Sequence, residues 1–184
     1  HDSGNIFGRR DHEKKAMVIL QDAGSSMYTD RIEARLICRL AAVHGGKVLD
    51  DKGTEDKDTI GAQQWPDSDT YLGVSYRPNL VAAIVRFADE ICEDSSRASG
   101  FLLGKGEIVK QSEAFHYYAA AITSVDVDLL DKSIGIKYEV DIDQVHRKVG
   151  KLQGETYLVD EIFERLEKMN YERIYCTRFM AEVV

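Results

Sequence analysis

Five residues of this chain, His1, Asp2, His12, His44 and Asp89, have the side-chain types from which a metal centre is built. Imidazole nitrogens and carboxylate oxygens form the mixed donor set that suits Mn, Fe, Zn and related divalent ions. Taken singly, each has a simpler account. His12 flanks the start of a helix, and His44 stands at a helix C-terminus, where a histidine offsets the dipole. Asp89 falls at the flank of an apolar stripe of Val81, Val85, Ala88 and Cys92, and a carboxylate there needs a partner against desolvation. Arg86 or Arg97 would be that partner in a structural account. The set is more informative than its members, because helices can hold such donors rigidly around one ion or two.

The elements that must position these residues are mostly helices. Residues 11–19 turn helical, with Asp11 as the expected N-cap. Residues 29–44 carry a stripe of Ile32, Leu36, Leu40 and Val43, widened by Ile37, Ala41 and His44, and stop at Gly45-Gly46. Residues 47–69 lose all periodicity and hold seven acids against three lysines, half of the chain's net charge of −8, so a surface insertion is expected there. Pro78 and Asn79 open a third helix, running from Leu80 to about residue 93, on Leu80, Ile84, Phe87 and Ile91. The stretch 100–106 reads as a flexible connector. Residues 115–127 and the alternation of Ile134, Ile136, Tyr138, Val140 and Ile142 predict two antiparallel strands joined through 129–132. His116 falls in the first of them. A long amphipathic helix is expected over 157–179.

The ordered set resembles the HD-domain metal-dependent phosphohydrolases. His1-Asp2-Ser3-Gly4-Asn5 is similar to that family's His-Asp signature, His12-Glu13 to its next ligand, His44 to the following one, and Asp89, within Arg86-Phe87-Ala88-Asp89-Glu90, to its distal Asp. The resemblance implies a mainly α fold: an HD-type helical bundle with a small C-terminal β-hairpin and a long helix as an α+β appendage. It places a metal-binding core over 1–100 and the appendage over 101–184. It also implies one or two divalent ions (Mn, Fe, Zn, Ni or Mg) and hydrolysis of a nucleotide or related phosphoester. His1, Asp2 and Asp89 would bind the first ion, and His12 and His44 a second ion or the substrate. Asp2 would bridge the ions and orient the attacking water.

Two departures qualify the match. The family's upstream His has no counterpart, because the chain opens at the dyad; it was removed, is on another chain or was not included. Asn5 stands where many active relatives carry a Lys. Asn5, Arg9 and Arg86 are the candidates for contacting substrate; Arg9 and Arg10 have an equal account as solvated surface charges. The alternative to an enzyme is a weakly catalytic HD-like module that binds a nucleotide or partner and regulates a larger protein. Residues 101–184 resemble HD modules found beside Hsp90-like or other signalling ATPases, so such a domain, or a second copy of the chain, is an expected partner.

Composition narrows the setting. With 32 acids against 24 basic residues, generic nucleic-acid coating and adhesion to an anionic membrane are disfavoured. No apolar run nears the roughly 20 residues that span a bilayer, and no signal sequence opens the chain, so a cytoplasmic protein is expected. Cys38, Cys92 and Cys176 are odd in number and widely spaced, which excludes a disulfide framework and a zinc finger. The 100–106 stretch lacks the Lys-Ser/Thr ending of a phosphate loop.

Overall fold

The computed structural model describes Ile6 and residues 11–26, 28–49 and 52–180. The expected site residues His1, Asp2, Asn5 and Arg9 lie outside the described residues. The fold is mainly helical, 54% of what is described, with four separate two-stranded antiparallel sheets. It divides into two units: the described residues of His1–Asp89 and Glu172–Val184, and Glu90–Tyr171. The second unit therefore begins about ten residues before the boundary drawn from sequence, and the end of the last helix belongs to the first.

The first unit opens with α1 (His12–Ala23) and α2 (Arg31–Ala41), which pack side by side. Asp11 adopts a left-handed conformation (φ 53°) and its side chain makes no cap, contrary to expectation. Asp30 caps α2 instead, its carboxylate accepting from the Ile32 N–H at 2.7 Å and the Glu33 N–H at 3.3 Å. The buried face of α2 is Ala34, Cys38, Leu40 and Ala41, while Ile32 and Ile37 are 68% and 56% exposed. The expected stripe therefore holds at Leu36, Leu40, Val43, Ala41 and His44, which are buried or packed on the core, and fails at Ile32 and Ile37. Ala34, Cys38 and Ala41 recur at i, i+4 and i+7, and small side chains let a neighbouring helix approach closely.

In α3 (Pro78–Ile91), Pro78, Ala82, Ala83 and Arg86 are buried and the expected Phe87 packs against the core, while Ile84 is exposed. Between these helices, the expected insertion is mostly exposed but is anchored in the core at Thr59 and Ile60. After the hairpin of β1 (Val48–Leu49) and β2 (Glu55–Asp56) comes Ile60, wholly buried with Leu40, Val43, Ala82, Ala83 and Cys176. A second hairpin joins β3 (Asp69–Tyr71) to β4 (Val74–Tyr76). One fully buried Ile anchors a segment whose average composition reads as surface.

The second unit contains α4 (Gly100–Lys105), a short helix where a connector was expected, and α5 (Glu113–Ala121). Residues 115–121 and His116 are therefore helical rather than extended. Alanines at 114, 119, 120 and 121 favour helix, and tertiary packing of the buried Tyr118 and Ala119 overrides the β-propensity of the aromatics. The expected strand pair begins at β5 (Ile122–Asp128) and returns as β6 (Ser133–Tyr138), with Val125 opposite Ile136 and Val127 opposite Ile134. After α6 (Ile142–Val145) comes a hairpin the sequence did not announce, β7 (Lys148–Lys151) with β8 (Gly154–Tyr157). At Gly150 a side chain would collide with the Lys110 carbonyl, so that strand requires glycine. The helix α7 (Leu158–Met180) contributes Leu158, Ile162 and Met169 to this unit's core, as its amphipathic pattern predicts.

Candidate functional site

Of the five expected metal donors, His12, His44 and Asp89 fall among the described residues, and the fold brings His12 and His44 together. His12 opens α1 and His44 follows α2, and their rings meet edge to face with centroids 5.4 Å apart. His44 is buried, and its Nδ1 lies 2.6 Å from the Ala41 carbonyl oxygen. A carbonyl can only accept, so Nδ1 carries the proton, and in the neutral ring Nε2 carries the lone pair. His12 is held similarly, with Nδ1 3.4 Å from Glu13 Oε2. Orientation of imidazoles by backbone carbonyls and carboxylates is the usual support of ligating histidines.

Glu13, quoted in the sequence only as the neighbour of His12 and given no role of its own, proves to be buried beside it. It is only 3% exposed. Its carboxylate lies against Gly46, which adopts φ 76°, and a Cβ there would collide with Glu13 Oε1. The Gly45-Gly46 pair therefore does more than end a helix, since its second member makes room for the carboxylate that holds His12. The available signal was the His-Glu dipeptide itself. His12, Glu13 and Gly46 line a cleft of about 500 Å³, at whose edge Lys47 and Glu55 form an ion pair.

Asp89 lies half-buried near the end of α3. Neither arginine suggested as its structural partner serves it. Arg97 pairs with Glu93 in the other unit. Arg86, a candidate substrate contact, is 5% exposed and clamped to Glu172 by a two-pronged contact, Nε to Oε2 at 2.7 Å and Nη2 to Oε1 at 3.0 Å. Its Nη1 donates to Thr59 Oγ1 at 2.7 Å and the Lys57 carbonyl at 3.2 Å, and its guanidinium stacks 4.3 Å from the Tyr175 ring centroid. Burial pushes the Arg86 pKa down, but Glu172 outweighs it and the net shift is upward. Tyr175 donates to Asp58 Oδ1 at 2.9 Å and accepts from the Ile60 N–H at 3.0 Å; burial is the main cause of its pKa rising to about 12. This lattice ties the end of α7 to segment 57–60 and to α3, which carries Asp89.

The donor chemistry of His12, His44 and Glu13 fits a divalent cation, with two oriented imidazoles beside a buried carboxylate. Among the described residues, however, no group of three or more His, Cys, Asp or Glu side chains, these three included, is placed to hold an ion. Among the described residues no helix is long and apolar enough to cross a membrane. A model of the family described as HD-CE matches residues 3–168, and no curated protein and no solved structure matches the chain.

Proposed function

The chain belongs to the HD-CE family, an HD-type domain family, and from that premise we propose that it is a metal-dependent phosphohydrolase acting on a nucleotide or related phosphoester. The observation that carries this reading is the His12 and His44 pair, with each Nδ1 turned onto an acceptor of its own chain beside a cleft. In this reading the first unit is an HD-type helical core. His1, Asp2 and Asp89 hold one divalent ion, and His12 and His44 hold a second or position the substrate. Such an ion supplies Lewis acidity, making a water more acidic and offsetting phosphoryl charge. Asp2 orients the attacking water, and Asn5 and Arg9 contact the substrate phosphate. Arg86 enters as a positioning residue of α3, because a phosphate would have to displace Glu172 to reach its donors. The three cysteines form no disulfide, which suits a reducing cytoplasm.

The test is metal content together with phosphate release from a nucleotide panel, for the wild type, His44→Ala and Asp89→Ala. Bound metal and activity that both fall by at least about a hundredfold in the variants support the reading. Metal-free protein, with a background that neither substitution changes, refutes it.

A second reading, a regulatory module that binds a nucleotide or partner without turnover, draws on the β5–β6 turn. Leu129 and Leu130 stand 84% and 93% exposed there, held by Asp128 Oδ1, which accepts from the Leu130 and Asp131 N–H groups. Exposed apolar side chains on an ordered turn suit docking onto an attached ATPase or signalling domain, or onto a second copy. Tight nucleotide binding with no product over hours selects this reading.

A further inference from the structure

We propose that a second cleft, between α1 and α2, binds a phosphate group carried on a flat or apolar body, with Arg31 and Arg35 as its anchors. The cleft measures about 300 Å³, the lower end of the range for small-molecule sites. Arg31 and Arg35 lie one helical turn apart on α2, both exposed and both lining it. Among the described residues neither has an ion-pair or hydrogen-bond partner. Two like charges at this spacing destabilise a helix. Elsewhere the fold gives its arginines company: Arg39 stacks on Trp65, Arg86 faces Glu172, and Arg97 and Arg165 face Glu93.

The neighbouring carboxylate, Asp30, does not neutralise the pair. It is taken by the Ile32 and Glu33 N–H groups and by the Tyr71 hydroxyl at 2.6 Å. Glu33 lines an adjoining cleft on the other side of Ala34. What faces the two guanidiniums is an amphipathic wall. Met17, Leu20 and Ala34 give it an apolar floor, and Gln21 offers an amide. Tyr28 is half-buried, and among the described residues its hydroxyl has no hydrogen-bond partner. Two planar guanidiniums suit the oxygens of a phosphate, and an aromatic ring above an apolar floor suits a flat body. Gln21 lies nine residues from His12 on α1, about 13 Å along the axis, so the cleft is separate from the histidines and does not depend on the reading given to them.

The test is calorimetric titration of the full chain in EDTA with AMP, inorganic phosphate and adenosine. EDTA keeps the histidine site from contributing through a metal. AMP is expected to bind saturably, phosphate alone about tenfold more weakly, and adenosine not at all. Arg31→Gln/Arg35→Gln should weaken AMP by at least about tenfold. Tyr28→Leu should erase the advantage of AMP over phosphate, and His44→Ala, whatever it does to metal content and activity, should leave the AMP affinity in EDTA as it is in the wild type. Both arginines are exposed, so an unchanged thermal melt of the double variant is the expected control. The proposal is overturned by the absence of saturable AMP binding at millimolar concentration or by binding that the double variant retains. Loss of binding in His44→Ala also overturns it, because that assigns the ligand to the other cleft. Adenosine binding as well as AMP removes the phosphate anchor, and phosphate binding as well as AMP removes the flat body.

Discussion

In the first unit a single buried guanidinium, Arg86, faces a single carboxylate, Glu172, whereas in the second Arg165 is shared between two, Glu93 and Glu161. The first arrangement is balanced and two-pronged, with its remaining donors on Thr59 and Lys57. The second is spread out. Arg165 Nε lies 2.8 Å from Glu161 and its Nη1 3.7 Å from Glu93, while the guanidinium stacks 4.6 Å above Tyr118. Lys151 supports Glu161 at 2.8 Å and also pairs with Glu164, and Arg97 supports Glu93 at 3.3 Å. Unequal sharing leaves the two carboxylates with opposite titration shifts. Burial raises both, but Lys151 and Arg165 more than reverse this for Glu161, which ends lowered, whereas Glu93 ends raised. Partner distance, not burial, decides the sign.

The largest expected effect breaks the balanced pair. Arg86→Ala leaves Glu172 in a mostly buried site without its cation, which should cost about 3 to 5 kcal/mol in urea unfolding. A loss below about 1 kcal/mol would mean that the lattice does not hold α7 to the first unit's core. Gly46→Ala comes next. A side chain at φ 76° that also displaces Glu13 should cost about 1 to 3 kcal/mol and free the His12 ring, read as a change in its NMR chemical shifts and line widths.

Glu161→Gln should cost about 1 to 3 kcal/mol at neutral pH. Because the folded pKa of Glu161 lies below its ordinary value of 4.5, its contribution is present above that value and is lost as pH falls through the folded pKa. The variant should therefore show a flatter loss of stability on acidification.

Glu93→Gln is the smallest effect, under about 1 kcal/mol at neutral pH. Here the sign reverses. With a folded pKa above 4.5, the contribution of Glu93 is full below that value and is lost as pH rises through the folded pKa, and the variant should lack this loss. Parallel pH profiles for the two glutamine variants would refute the claim that unequal sharing of Arg165 separates them.

Much of the fold was legible because periodicity and punctuation are local. Pro78 begins α3, the alternation around Ile134 and Ile136 is β6, and the amphipathic run from residue 157 is α7. The misreadings share a cause. In α2 and α3 the larger apolar residues were taken to mark the buried face, which holds for Leu36, Leu40, Val43 and Phe87, yet Ile32, Ile37 and Ile84 face outward while Ala34, Cys38, Ala82 and Ala83 are buried. Residues 47–69 were judged by their average polarity, but burial of Ile60 depends on one side chain and its neighbours. The helix at 113–121 lost to a propensity argument that counted aromatics and ignored the alanines beside them.

The site divides along the same line. Residue type and order nominated His12 and His44 without any coordinates, because donor chemistry belongs to the side chain and a family signature belongs to the sequence. Only the tertiary structure decided that these two rings meet, that Glu13 is buried against Gly46 to hold one of them, and that Arg86 is committed to Glu172 while Arg31 and Arg35 are not. An arginine's charge is the same at every position in the sequence. Whether it serves structure or ligand depends on the carboxylates within a few ångströms, and chain folding brings those from residues as distant as 86 and 172.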